Sequence, residues 1–327
     1  MTRLPCGPGN PVGIIGLGAY RPRGVVTSAA MAAWLGVDTD WIVGRTGVAE
    51  RGWADVGETV RMMAVHAARE AMAAARIAPD DVELLILATS TNPHLVPPLA
   101  PSVSHDLGMR RIAAFDVNAA CAGWCYGVES ARALIASAAV RTALVVGSDR
   151  VHDIVDAMDR TTAPLFADGA GAAVLAVSGE TGVSPAVLGS DGSCAGILGT
   201  QPSSFSARSR PVVSMDGPAV ARWAIEALAD TAQQLLARCG LTWTDIAALV
   251  PHQANLRLIR TVSQLLAVPG HVAVADDVRT TGNASSASVP LALHRLLAQG
   301  RARSGDLVML IGFGAGMSYA GQIIRVP

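Results

Sequence analysis

The sequence predicts an α/β fold assembled from two similar halves. Short apolar runs, often β-branched and bounded by Gly, Asp or Ser, alternate with Ala-rich stretches along the 327 residues of the chain. Runs of this kind are typical of strands that are covered on both faces of a sheet. Hydrophobic residues make up 51% of the chain and charged residues 16%, which excludes extensive disorder and favours a large buried interior.

The predicted elements follow the same order in each half. In the first half we expect strands at residues 12–17, 84–88, 113–117, 142–146 and 172–177, with helices at 60–75 and 123–138. In the second half we expect strands at residues 183–188, 247–250, 272–275, 307–311 and 320–326, with helices at 219–239, 256–266 and 289–299. Any two buried strands look alike, so this common order is what favours an internal duplication, with halves at 1–180 and 181–327.

One long segment, residues 191–216, is rich in Ser, Gly and Pro and shows no periodicity. It is predicted to be an inter-strand loop and is a candidate active-site flap.

Charge and composition exclude several classes of partner. The formal net charge is −1, so the chain lacks the basic field that grips nucleic acid. No apolar run approaches the roughly 18 residues of a membrane-spanning helix. Five widely spaced cysteines without a CxxC pair, and an N-terminus without a secretory signal, predict a protein of the cytoplasm without a disulfide framework. No metal-binding spacing is present, so no metal is expected.

The most informative stretch surrounds Cys121. Small residues flank this cysteine, an apolar run precedes it, and a long helical pattern follows. A thiol at a strand-to-helix turn lies at the positive end of the helix, where the thiolate is favoured. A buried structural cysteine is the alternative, and Cys125 fits that alternative better. Position alone leaves both interpretations of Cys121 open.

Three further sites each have a structural and a chemical interpretation. His252 follows the apolar run 247–250 and could project into a crevice, or could be an ordinary hydrogen-bonded loop histidine. Asn283, in a turn of small residues, could cap a helix or donate to an oxyanion. The glycines of the stretch 312–316 lack the dinucleotide-binding spacing, and could equally allow the backbone to approach a substrate carbonyl.

Several motifs together resemble the β-ketoacyl-acyl carrier protein synthase III family of the thiolase superfamily. They are Asp-Trp-Ile-Val-Gly-Arg-Thr-Gly at 40–47, Ala-Ala-Cys-Ala-Gly at 119–123, Phe-Ala-Asp-Gly-Ala-Gly-Ala-Ala at 166–173, Pro-His-Gln-Ala-Asn at 251–255, Gly-Asn at 282–283 and Gly-Phe-Gly-Ala-Gly at 312–316. The similarity covers nearly the whole chain in order. The Gly-Phe-Gly-Ala-Gly ending is most similar to the polyketide-priming branch.

The resemblance implies a thiolase-like fold, with two duplicated β/α halves whose five-stranded mixed sheets form a layered αβαβα arrangement, and it implies a homodimer. It implies an acyltransferase with Cys121 as the acyl-accepting nucleophile and with His252 and Asn283 as the other catalytic residues. The backbone amides of Cys121 and Ala315 would form an oxyanion hole, and Phe313 would lie beside the thiol.

The resemblance also implies the substrates. Acyl-coenzyme A would be a substrate, no cofactor is implied, and malonyl-acyl carrier protein or another acceptor would be the second partner. The residues implied to bind coenzyme A are Trp41, Arg45, Arg160, Gly217 and Asn255, and those implied to dock a carrier protein are Arg222 and Arg257. Another basic position of the family is Gln264 here, although Arg260 could compensate.

The implied reaction is a decarboxylative condensation that primes fatty-acid or polyketide synthesis. His252 and Asn283 would bind the enolate oxygen that forms when the malonyl group loses carbon dioxide. One alternative is a non-decarboxylating acyltransferase that moves the acyl group from Cys121 to an alcohol or amine, with His252 as base. A non-catalytic partner subunit is a third hypothesis, which the presence of Cys121 disfavours.

Overall fold

Two five-stranded mixed sheets organise the chain, in a computed structural model that describes residues 4–5, 9–180, 182–201 and 211–327. The first sheet contains β1 (Val12–Tyr20), β4 (Leu84–Ala88), β5 (Ala113–Val117), β6 (Thr142–Arg150) and β7 (Asp168–Val177). The second contains β8 (Val187–Ser190), β11 (Ile246–Pro251), β12 (Ala273–Val274), β13 (Leu307–Gly314) and β14 (Ser318–Arg325). Two small antiparallel sheets pair β2 (Gly24–Thr27) with β3 (Glu50–Trp53) and β9 (Leu198–Gln201) with β10 (Val212–Met215).

The α-helices connect and cover the sheets. They are α1 (Ser28–Leu35), α2 (Thr39–Thr46), α3 (Val60–Ala75), α4 (Ala100–Asp106), α5 (Gly123–Ala136), α6 (Gly217–Cys239), α7 (Leu256–Leu265), α8 (Val278–Thr281) and α9 (Ser288–Ala298).

The two sheets repeat one topology. The first runs β1-β7-β6-β4-β5 and the second, from its other edge, β8-β14-β13-β11-β12. When the strands are numbered within each half, both orders become 1-5-4-2-3. The same pairs are antiparallel at one end and parallel at the other in both sheets. The predicted duplicated α/β fold is therefore confirmed.

Helices α5 and α9 lie between the two sheets. Trp124 and Ile135 of α5 and Leu293 and Leu296 of α9 share one core with strands of both sheets. Helix α3 covers the outer face of the first sheet, while α6 and α7 cover the outer face of the second. The five layers of this αβαβα arrangement are α3, the first sheet, α5 with α9, the second sheet, and α6 with α7. Helices α5 and α9 therefore meet in the interior.

Strand β5 differs from its sequence prediction. We expected the run 113–117 to be covered on both faces, but none of its residues is buried. It is an edge strand of the first sheet, and among the described residues it pairs only with β4. The apolar run here indicates a tendency to form a strand, but it does not indicate that the strand is buried.

The segment 191–216 is not a loop throughout. It contains a short 3-10 helix (Gly192–Ile197) and the hairpin strands β9 and β10, while residues 202–210 lie outside the described residues. Four-residue strands that are stabilised by pairing with each other carry too little alternation to be recognised in the sequence. Two other strands are displaced or shortened: the predicted 183–188 forms at Val187–Ser190, and 272–275 only at Ala273–Val274.

Glu58 is a buried carboxylate that ties the end of β1 to the start of α3. Its Oε1 accepts hydrogen bonds from Tyr20 Oη at 2.6 Å and from the backbone N–H of Arg23 at 3.0 Å. Its Oε2 accepts one from the N–H of Asp55 at 2.8 Å. Burial alone would raise the pKa of Glu58, but these hydrogen bonds outweigh it and lower the pKa to about 2.

We expect Glu58→Gln to lower the free energy of unfolding near neutral pH by about 1–3 kcal/mol, because the amide replaces an acceptor of three hydrogen bonds. The ionised carboxylate stabilises the fold above its ordinary pKa of 4.5, and this contribution is lost as the pH falls towards 2. The variant should therefore lose less stability than wild type over that interval. Urea unfolding at several pH values measures both effects. The exposed Glu50→Gln is the control, and identical pH slopes for wild type and Glu58→Gln would contradict the assignment.

Candidate active site

A cavity of about 580 Å³ brings residues of both halves together. Of the predicted catalytic group, Cys121, His252, Asn283 and Phe313 line it. Ala315 is not among the lining residues, although the adjacent Gly314 is. Three side chains from distant parts of the sequence therefore share one chamber.

Cys121 lies where the sequence places it, between β5 and α5. A 3-10 turn, Ala120–Ala122, leads directly into the helix, and Ala120 takes a left-handed φ of 46°. Glycines of β13 pack on this turn from the second half. A Cβ at Gly314 would stand 2.6 Å from the backbone nitrogen of Cys121, and one at Gly312 would stand 3.0 Å from Ala122 Cα. Only glycine allows this approach.

Asn283 precedes the equivalent turn of the second half. The 3-10 turn Ser285–Ala287 leads into α9, and Ser285 takes a left-handed φ of 50°. Gly147 of β6 packs on it, since a Cβ there would stand 2.7 Å from the Ser286 carbonyl oxygen. The two turns meet: Cys121 Sγ lies 3.6 Å from Ser285 Oγ. The duplication thus sets the nucleophile candidate opposite the turn that follows Asn283.

The amide of Asn283 has a defined orientation. Its Oδ1 accepts a hydrogen bond from the backbone N–H of Ser285 at 3.0 Å. Since the oxygen is engaged, the Nδ2 group remains as a donor for the cavity. Backbone hydrogen bonds from Asn283 to Leu165 and from Ala167 to Asn283, both 2.9 Å, fix the position of the residue.

His252 directly follows β11, and its ring packs edge-on against Phe313, with centroids 5.0 Å apart. Its Nδ1 lies 2.5 Å from Ser288 Oγ. The backbone N–H of Gln253 donates to the same oxygen at 3.4 Å, so the hydroxyl hydrogen of Ser288 is available for Nδ1. We assign the tautomer that carries its proton on Nε2, which leaves Nε2–H as the donor for the cavity.

Burial determines the protonation state of both Cys121 and His252. It raises the pKa of Cys121 to about 12; the hydrogen bond to Ser285 opposes this rise and the charge of Asp149 adds to it. Burial also lowers the pKa of His252 to about 3. The resting cavity therefore holds a thiol and a neutral imidazole. The thiolate that the helix terminus led us to expect does not form at rest, because desolvation disfavours the charged form of the buried sulfur.

The predicted coenzyme A residues line the outer part of the cavity together with Arg257. They are Trp41, Arg45, Arg160, Gly217 and Asn255. The Arg45 guanidinium lies 4.5 Å from the centre of the Trp41 ring, and Arg160 Nε donates to the Leu35 carbonyl at 3.2 Å. Asn255 also caps α7, since its Oδ1 accepts from the N–H of Leu258 at 2.8 Å. Arg222 is exposed on α6 and is not among the lining residues.

Sequence reasoning anticipated the apolar wall of the cavity only in part, since Leu198 and Met215 lie in the segment 191–216 that was a candidate active-site flap. Pro164, Leu165, Phe166, Leu198 and Met215 all line the cavity. Only Phe166 lay in a recognised motif, because the others come from loop and hairpin positions that carry no periodic signal. An apolar wall of this kind fits a hydrocarbon chain.

The described part of the chain contains no cluster of three or more His, Cys, Asp or Glu side chains suited to a metal ion. None of the helices described there combines the length and apolar character needed to cross a bilayer.

Comparison with known proteins settles the family. The model of 3-oxoacyl-[acyl-carrier-protein] synthase III matches residues 115–192, and the model of its C-terminal part matches residues 236–326. The chain is 41% identical over 319 residues to β-ketoacyl-[acyl-carrier-protein] synthase III of Streptomyces lividans, which covers 96% of this chain and 94% of that protein. The chain belongs to the 3-oxoacyl-[acyl-carrier-protein] synthase III family. It is an acyltransferase of the condensing type, and the resemblance read from its motifs is confirmed.

Solved structures agree with this family assignment. A crystal structure of the priming β-ketosynthase of a polyketide biosynthetic pathway superposes with a TM-score of 0.95 at 40% identity, covering 99% of this chain and 98% of that one. The synthase III of Pseudomonas aeruginosa gives a TM-score of 0.90 at 36% identity, covering 97% and 98%. The thiolase-like fold is thereby established.

Substituting Gly314 should displace the nucleophile candidate. In Gly314→Ala the new Cβ would stand 2.6 Å from Cys121 N and 3.1 Å from Cys121 Cβ, so the turn must move. We expect acylation of Cys121 by an acyl-coenzyme A to slow by about 100-fold. Intact-mass spectrometry over time measures it. Gly196→Ala is the control, because a Cβ there has no neighbour within 4 Å. A wild-type rate in Gly314→Ala would refute the steric argument.

The imidazole of His252 should stay neutral through the physiological range. Because burial lowers its pKa to about 3, we expect its ¹⁵N resonances to be constant as the pH falls from 8 to 5. A midpoint near the ordinary value of 6.5 for His252 would mean that the ring is hydrated and not buried.

Proposed function

We propose that the protein primes fatty-acid or polyketide synthesis by condensing an acyl group held on Cys121 with a malonyl thioester. One observation carries the proposal. Two oriented donors, Nε2–H of His252 and Nδ2 of Asn283, belong to the cavity that also contains Cys121. A pair of donors beside a nucleophile suits a reaction that builds negative charge on a substrate oxygen.

In the first step Cys121 Sγ attacks the carbonyl carbon of acyl-coenzyme A. A new C–S bond forms, the old thioester bond breaks, and coenzyme A leaves as the thiol with the proton that Cys121 gives up. The backbone N–H groups of Cys121 and Ala315 are the proposed donors to the transient oxyanion. The apolar wall formed by Leu165, Phe166, Leu198 and Met215 would hold the acyl chain.

In the second step a malonyl thioester loses its carboxylate as carbon dioxide. The electron pair of the broken C–C bond passes into an enolate, whose oxygen accepts from His252 and Asn283. The enolate carbon then attacks the acyl-Cys121 carbonyl, a C–C bond forms, the C–S bond to Cys121 breaks, and the released sulfur takes a proton from solvent. Each such donor is worth about 2.7–4 kcal/mol of barrier in comparable oxyanion sites.

The alternative acceptor chemistry fits the site less well. Transfer to an alcohol or amine would need His252 as a general base. Burial lowers the pKa of His252 to about 3, so the ring is a weak base and a better neutral donor. The low pKa of His252 therefore favours condensation.

The mouth of the cavity supports the substrates proposed. Trp41, Arg45 and Arg160 would bind the adenine and phosphates of coenzyme A, and Gly217 and Asn255 would lie beside its pantetheine arm. The exposed Arg222 and Arg257 would receive an acidic carrier protein. Arg260, on the same helix as Arg257, is also exposed and supplies a further cation to this surface.

We also propose that the halves 1–180 and 181–327 divide the work, the first supplying Cys121 and the second supplying His252 and Asn283. A homodimer is supported by the open edge of β5, where Phe115 is 37% exposed, and by the nearby, fully exposed Leu95. A cytoplasmic location is supported by the free thiols of the four described cysteines.

The test combines an acylation assay with a condensation assay. Exposure to acyl-coenzyme A should add one acyl mass at Cys121, and malonyl-acyl carrier protein should then release carbon dioxide and form a β-ketoacyl product. Asn283→Ala should still be acylated but should lose carbon dioxide release by about 10²–10³-fold. Acyl transfer to a small acceptor without any malonyl group would instead establish the alternative.

A further inference from the structure

Acylation needs a destination for the thiol proton of Cys121, and the cavity does not provide an obvious base. Burial raises the pKa of Cys121 to about 12, so the proton is present at rest. His252 already carries its proton on Nε2, and its Nδ1 is engaged by Ser288. The proton must therefore leave by another route.

Asp149, on β6, is a fully buried carboxylate close to Cys121. Its Oδ1 accepts from Thr89 Oγ1 at 3.1 Å, Ser90 N at 2.8 Å, Ser90 Oγ at 3.3 Å and Thr91 Oγ1 at 2.9 Å. Its Oδ2 accepts from the backbone N–H of Ser286 at 3.0 Å and from Ser286 Oγ at 2.6 Å. These donors satisfy the anion at rest and connect it to both halves.

A chain of hydroxyls links this carboxylate to the sulfur, and its direction is fixed by chemistry. An ionised carboxylate only accepts, so Ser90 directs its hydroxyl hydrogen to Asp149. Ser90 Oγ can then only accept from Ser285 Oγ, which lies 3.4 Å away. Ser285 Oγ, having donated, accepts the S–H of Cys121 at 3.6 Å. Every hydrogen in the chain points from sulfur to carboxylate.

We propose that Ser285 and Ser90 relay the thiol proton of Cys121 to Asp149 while the acyl group is being accepted. The S–H bond breaks and Ser285 gains that hydrogen, Ser285 gives its own to Ser90, and Ser90 gives its own to Asp149. The proton returns along the same hydroxyls to the departing coenzyme A sulfur, so no further reactant is consumed. The inference rests on the proposed acylation of Cys121.

The relay removes the electrostatic obstacle to a buried thiolate. Ionising Cys121 into solvent would leave two anions, the thiolate and Asp149, in one interior. Moving the proton to Asp149 keeps a single negative charge and only changes its position. The charge that opposes ionisation of the sulfur is neutralised in the same step.

Ser285→Ala is the direct test, because it keeps the backbone N–H that orients Asn283 and removes only the hydroxyl. We expect acylation at neutral pH to fall by about 10²-fold. The remaining rate should rise about tenfold per pH unit, since solvent must now remove the proton, whereas wild type should be nearly independent of pH. Ser90→Ala should behave in the same way, and it provides a second variant if the first is unstable.

Ser130→Ala is the matched control. It is a half-buried serine of α5 whose hydroxyl donates to the Tyr126 carbonyl at 2.9 Å, so it lies outside the chain of hydroxyls. Its acylation should stay close to the wild-type rate with the same flat pH profile. Wild-type acylation in both Ser285→Ala and Ser90→Ala, or an equal loss in Ser130→Ala, would overturn the relay.

A second assay separates the relay from the proposed function. In a Cys121→Gln background no thiol proton remains to be moved, so adding Ser285→Ala should leave decarboxylation of a malonyl thioester unchanged. If Ser285→Ala lowers decarboxylation there, the serine has a structural role and the relay is wrong. If Cys121→Gln and wild type both fail to release carbon dioxide, the condensation proposal fails, while the acylation rates still judge the relay.

Discussion

Close packing of glycines against two 3-10 turns is the constraint on which the site depends. Gly314 of one sheet allows the backbone at Cys121 to lie close to that sheet. Gly147 of the other sheet allows the same close contact with the backbone at Ser286. A single Cβ at either position would overlap backbone atoms, which cannot move aside cheaply. Because each half packs on the turn of the other, the nucleophile candidate and the Asn283 turn are set opposite each other without any bound ligand.

This packing also determines the electrostatics. Burial of Cys121 and His252 keeps the sulfur protonated and the imidazole neutral. A neutral imidazole with a fixed tautomer is a good hydrogen-bond donor, which suits enolate stabilisation. The same burial makes formation of the thiolate costly. The buried Asp149 and its hydroxyl partners therefore acquire a chemical role that an exposed carboxylate would not have.

Most regular elements could be predicted from the sequence, because buried parallel strands and long helices carry their pattern locally. The order of the motifs identified the family, and the resemblance implied that Cys121, His252 and Asn283 are the catalytic residues. Burial of the run 113–117 was predicted wrongly, since an edge and a central strand have similar composition. The hairpin at Leu198–Gln201 and Val212–Met215 was missed because its stability comes from pairing between short strands. The individual side chains of the apolar wall were not singled out, because loop and hairpin positions carry no periodic signal.

The sequence by itself determined the fold class, the duplication and the residue types available for chemistry, since these depend on local periodicity and on motifs. Only the tertiary structure decided the charge states and orientations of those residues. Whether a thiol ionises depends on the water around it, and whether an amide presents oxygen or nitrogen depends on which group its other end meets. Cys121 meets Ser285, 164 positions away in sequence, only when the two halves pack. His252 meets Ser288, 36 positions away, only when the second half folds.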